Sequence, residues 1–115
     1  GNTVVLVPGA APLSATDFYQ ILDTSDVPAG VVNIVTGPPQ DLAKSLAGHM
    51  DVDAVWSFSS HPLSALIERE AAGNLKRTWV SGSDRRDWLL PSEGRGTAFL
   101  RHASQIKNIW IPYGV

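Results

Sequence analysis

Four short apolar runs, separated by helix-length stretches, constrain this chain more than any other feature. They are "TVVLV" at 3–7, "VVNIV" at 31–35, "AVWSF" at 54–58 and "RTWV" at 77–80. Unbroken runs rich in β-branched residues mark strands buried on both faces. After the first run, Pro12 suits a first helical turn, and Leu13, Phe18, Ile21 and Leu22 recur at roughly helical spacing. "DVPAG" at 26–30 is turn chemistry. Pro38 and Pro39 then open a helix whose apolar stripe is Leu42, Leu46 and the alanines between, with Gly48 near its end. A third helix is expected over 63–72, another over 98–104, and a last strand over 108–111. Residues 82–97 are polar and Gly-rich and match no element.

Strands alternating with helices mean βαβ units, a parallel sheet and helices on its faces. The expected architecture is α/β, a Rossmann-like three-layer α/β/α arrangement with a mostly parallel sheet of about five strands. With 115 residues, 1–115 is a single domain. The chain opens inside a strand with no initiating Met, so it is expected to be a fragment of a longer one.

The formal net charge of −2 gives no pull toward nucleic acid or a membrane surface. Lys76–Arg77 and Arg85–Arg86 are expected as solvated charges at loops and strand ends. There is no cysteine, which excludes disulfides, thiolate metal sites and a cysteine nucleophile on this chain. It also leans toward a reducing, cytoplasmic compartment, and no apolar run is long enough to span a bilayer. Trp56, Trp79 and Trp110 fall on or beside expected strands. Trp88 falls in the polar segment with no evident core to join, so it is expected to pack against a neighbouring domain or subunit.

In a sheet of this kind ligands sit at the carboxyl ends of strands, beside helix N-termini. "SFSSHPLS" at 57–64 is placed there. A serine nucleophile on a strand–helix elbow needs a glycine on each side, and neither is present. His61 directly follows Ser60, whereas triad partners come from separate loops, so a hydrolase using Ser60 is a minor alternative needing a distant acid and base. His49, His61 and His102 show no metal-ligand spacing, and Asp51 and Asp53 read as a polar turn leading into a strand. Ser59 and Ser60 suit a phosphate at a helix start. The local sequence favours a plain cap, with Ser60 bonding a free amide ahead of Pro62.

Taken together, "GNTVVLVPGAAPLSA", "VPAGVVNIVTG", "DVDAVWSFSS" and "AAGNLKRTWVSG" resemble, in order, the coenzyme-binding domain of the aldehyde dehydrogenase superfamily over roughly residues 1–82. The ending "KNIWIPYGV" extends the likeness to the shortened, degenerate second unit of the two-unit family 16 enzymes. The resemblance implies an NAD(P)-binding site at Pro8, Gly30, Gly37 and Ser60. It also implies what is missing. Val7 and Ala10 stand where the family has the lysine and glutamate that hold the adenosine ribose. Ser81 stands at the general-base glutamate, and the family's cysteine nucleophile has no counterpart. The expectation is a non-catalytic, structural piece of an aldehyde-oxidising enzyme, with no catalytic or metal-binding residues and weak or no coenzyme binding of its own. Its implied partners are the remainder of that polypeptide and further copies in a homo-oligomer. The alternative is a working dinucleotide-binding domain separated from its catalytic half.

Overall fold

A computed structural model of the protein describes residues 1–9, 12–82 and 86–114. Ala10 and Arg85, both singled out by the sequence, lie outside the described residues. The element order is β1 (Val4–Leu6), α1 (Leu13–Asp23), β2 (Val32–Ile34), α2 (Pro39–Gly48), β3 (Ala54–Ser57), α3 (His61–Ala71), β4 (Arg77–Val80), α4 (Pro91–Gly94) and α5 (Thr97–Ala103). A single 3₁₀ turn, Ala72–Asn74, links α3 to β4.

All strand pairing is parallel, as the crossover helices require. β1 pairs with β2 in the register Val4↔Val32 to Leu6↔Ile34. β3 pairs with β4 in the register Ala54↔Arg77 to Ser57↔Val80. Four strands therefore form among the described residues, in two separate pairs, rather than one sheet of about five. The expected strand at 108–111 does not form: these residues have no assigned secondary structure and no strand partner among the described residues. Its residues favour strand, yet a strand exists only where a neighbour supplies the ladder, and no strand among the described residues pairs with it. Trp110, expected beside a buried strand, is accordingly 94% exposed.

Helix starts follow the prolines. Pro39 sits in the first turn of α2 and Pro62 in that of α3, where a missing N–H costs nothing. α2 packs against α3. Here lie the buried apolar side chains of the described residues, Ala47, Ile67 and Ala71. Burying Ile67 alone contributes roughly 2–3 kcal/mol. Small residues at Ala47 and Ala71 let the two helices approach closely.

A second packing centre is aromatic. Trp56 and Trp79 are register partners, and their rings meet edge to face at 5.1 Å. Phe58 joins Trp79 at 5.0 Å, and α5 brings Phe99 to within 5.2 Å of the same indole. His102, one turn further along α5, stacks flat on Trp79 with centroids 3.9 Å apart and 9° between planes. Trp88 packs edge-on against Phe58 at 4.9 Å, so the polar segment does have a core to join. Its indole is still half exposed.

Candidate functional site

The carboxyl ends of the strands carry most of the candidate residues. β1 runs out into Val7 and Pro8, both half-buried, while Val35 N–H donates to Leu6 O (3.0 Å) and holds the β2 end beside them. Gly37 follows β2. A Cβ there would lie 3.2 Å from Leu42 Cδ1 on the first turn of α2, which accounts for the glycine by close approach. Ser60 follows β3 at the cap position of α3, with extended backbone. Pro8, Gly37 and Ser60 thus each stand at a carboxyl edge. Gly30 does not. It lies in the turn before β2, at the opposite end of that strand, with φ +83° and its carbonyl accepting from Asn33 Nδ2 (2.8 Å). Turn geometry accounts for that glycine.

Ser60 was expected to cap α3 with its hydroxyl, and it does not. No side-chain capping bond forms, and only its carbonyl is used, accepting from Ser64 N–H (3.0 Å). Pro62 explains half of this, since it removes the N2 amide that a capping serine often bonds. The Ser60 hydroxyl and the first-turn amide of Leu63 are left uncapped at a positive helix end. Such donors suit a phosphate. Serine chemistry finds no support, because no histidine or carboxylate among the described residues is bonded to that hydroxyl.

Beside this turn, Ser81 N–H donates to Ser57 O (3.1 Å), extending the ladder one residue past β4. The Ser81 hydroxyl is buried and has no hydrogen-bond partner. Ser64 Oγ, on the buried side of α3, is likewise unpaired. At the opposite end of β3, Asp51 N–H donates to His49 Nδ1 (3.2 Å) and Asp53 O accepts from Arg77 N–H (3.1 Å). That is turn and ladder chemistry. Among the described residues no three metal-ligating side chains gather.

Two basic side chains overturn the expectation of solvated charge. Lys76 is only 9% exposed, and its ammonium donates to His49 O (2.5 Å) and to Val52 O. Arg86 donates from Nη1 to Glu93 O (2.7 Å), and its guanidinium lies 5.1–5.8 Å from the ring centres of Phe58, Trp79, Trp88 and Phe99. The sequence held one signal for this: a basic residue amid a stretch with Phe58, Trp79, Trp88 and Phe99 suits cation–π contact. Which rings converge was not readable from it.

The sequence model described as "Aldehyde dehydrogenase family" matches residues 1–83. The chain belongs to the aldehyde dehydrogenase family. It is 33% identical over 82 residues to the NADP/NAD-dependent aldehyde dehydrogenase PuuC of Escherichia coli, covering 70% of this chain and 17% of that protein. Against aldehyde dehydrogenase 1A1 of Equus caballus it is 42% identical over 80 residues, covering 67% and 16%. Among solved structures it resembles aldehyde dehydrogenase C of Pseudomonas syringae in complex with NAD+ and octanal, with TM-score 0.65 and 32% identity, covering 73% and 18%. It also resembles the aldehyde dehydrogenase KauB of Pseudomonas aeruginosa, with TM-score 0.67 and 30% identity, covering 76% and 20%. The chain spans 16–19% of the length of the curated aldehyde dehydrogenases it matches. The α/β fold is thus that of aldehyde dehydrogenases.

Proposed function

We propose that this chain is the Rossmann-like coenzyme-domain piece of an NAD(P)-dependent aldehyde dehydrogenase, kept for structure rather than chemistry. The observation that carries the reading is Ser81. It follows β4, where the resemblance puts the general base, and its hydroxyl is buried and unpaired. A serine hydroxyl at neutral pH does not take up a proton as a carboxylate would. The chain also has no thiol to attack an aldehyde. The shortened unit of the two-unit family 16 enzymes fits this description, and the assembled protein would be cytoplasmic and oligomeric.

In a complete enzyme a bound coenzyme would supply the hydride acceptor. This chain's residues fit that group only in part. Ser60 and the uncapped first turn of α3 offer donors to a pyrophosphate. Val7 offers none to a ribose. Hydrogen bonds to charged groups contribute roughly 1.5–3 kcal/mol each, so a clamp missing both its members weakens binding by at least about 10²-fold.

The uncapped Ser60 also favours a second reading, a dinucleotide-binding domain that still works. Calorimetric titration with NAD+ separates the two. A structural piece should bind at about 1 mM or weaker. Micromolar affinity would replace the first reading with the second. A parallel assay with NAD+ and a panel of aldehydes should produce no NADH above a blank.

A further inference from the structure

Residues 86–103 lie past the stretch that matches the family, and side-chain contacts fasten them to the rest of the molecule. No backbone hydrogen bond among the described residues ties them to β3 or β4. Internal bonds stiffen the piece instead. Asp87 N–H donates to Glu93 Oε2 (2.8 Å), Leu89 N–H donates to Asp87 Oδ1 (3.0 Å), and a Cβ on Gly94 would overlap Trp88 O. Contact with the strands is through rings: Trp88 on Phe58, and Phe99 and His102 on Trp79. One further bond reaches the body, from Asn2 Nδ2 to Ala103 O (3.3 Å). None of residues 86–103 is fully buried. A piece with few buried contacts and no ladder to its neighbour opens at a lower free energy than the core.

Arg86 joins the two sides of this contact. Its guanidinium lies 5.2 Å and 5.1 Å from the ring centres of Phe58 and Trp79 on the strand side. It lies 5.8 Å and 5.5 Å from those of Trp88 and Phe99 within the piece itself. No carboxylate among the described residues pairs with it, so ring faces and one carbonyl hold the charge. Such contacts strengthen as the cation loses water. The next side chain along the same strand face is Ser81. Side chains two apart on a strand share a face. Ser81 continues β4 through its bond to Ser57 O, so it faces the side where Trp79 meets Phe99 and Arg86. Its hydroxyl is buried there.

We propose that residues 86–103 are a strap, latched by Arg86, that closes the carboxyl end of β4 over Ser81. The strap lifts as one piece while the strand pairs and the α2–α3 core stay folded. The position it covers is where the coenzyme-domain reading puts the general base, so the strap's role as a shield over that site rests on that reading. The lifting itself does not.

Single thiols in the 115-residue chain read the opening, because it has no cysteine of its own. Ser81→Cys places one under the strap, Ser64→Cys one in the buried side of α3, and Ser60→Cys one at an exposed position. Labelling by a dilute thiol reagent follows the population of each open form. Position 81 should label more slowly than position 60 and about tenfold or more faster than position 64. Low urea should speed position 64 and leave position 81 nearly unchanged, since lifting a strap exposes little surface. Arg86→Ala should speed position 81 by about tenfold. Ile67→Val weakens the core in the closed and lifted forms alike. It should therefore speed position 64 by roughly twofold to tenfold and leave position 81 unchanged. Labelling at position 81 as fast as at position 60 would overturn the proposal. So would positions 81 and 64 responding together to urea or to Ile67→Val, or no gain at position 81 from Arg86→Ala. If Arg86→Ala does not fold, Trp88→Ala takes its place with the same expected gain. No coenzyme enters the measurement, so its failure is distinct from failure of the coenzyme-domain reading, which the NAD+ titration decides.

Discussion

The ammonium of Lys76 donates to the carbonyls of both His49 and Val52, tying the start of β4 to the turn between α2 and β3. Asn74 Nδ2 adds a bond to Met50 O (3.3 Å) in the same turn. Replacing the lysine with an apolar side chain strands two carbonyls that a charged donor now satisfies. Lys76→Met should cost about 2–3 kcal/mol. Urea unfolding followed by tryptophan fluorescence measures it, and a change below about 0.5 kcal/mol would mean that water replaces the ammonium without loss.

Ser64 points the other way. It is 4% exposed and its hydroxyl has no partner, so burial costs it a bond to water for nothing in return. Ser64→Ala removes that cost and improves helix propensity within α3. The variant should be more stable than the native chain by about 1 kcal/mol. Destabilisation in the same unfolding experiment would show that the hydroxyl is used.

Phe99 is the hinge between α5 and the β3–β4 pair, lying 5.2 Å from Trp79 and 6.3 Å from Trp88. α5 has only seven residues and contributes no fully buried residue of its own. A helix that short does not persist without tertiary contacts. Phe99→Ala should therefore release it at a cost of about 2–3 kcal/mol. Far-ultraviolet circular dichroism should lose signal, and the tryptophan emission should shift to the red. Unchanged spectra would place the anchor of α5 elsewhere.

The coenzyme edge gives a gain-of-function test. Val7 ends β1 at its carboxyl edge and is half-buried, so a lysine there can extend its ammonium toward the ligand side without burying it. Val7→Lys combined with Ala10→Glu should improve NAD+ affinity by about tenfold or more over the native chain. Calorimetry on both proteins, with folding checked by circular dichroism, reads the result. A folded double variant with no gain would put the first strand out of line with the family's ribose clamp.

Much of this molecule was legible in its sequence, because the signals were local. Proline fixes where a helix can begin: α2 starts at Pro39 and α3 one residue before Pro62. Runs of β-branched residues need no distant information to favour extended backbone, and β4 spans Arg77–Val80, the run read from the sequence. The family was legible too, because its segments recur in order. Tertiary structure decided everything that depends on a partner. Residues 108–111 have strand-forming side chains but pair with no strand among the described residues, so they form none. Ser60 occupies a cap position, yet whether its hydroxyl bonds an amide depends on a rotamer no sequence states. Lys76 and Arg86 read as solvated charges, because charge favours water unless the fold brings acceptors or ring faces to it. Here carbonyls 27 and 24 residues away converge on one ammonium, and four rings surround one guanidinium. Convergence over such separations belongs to the packed chain, since the energy that fixes it exists only once the elements have met.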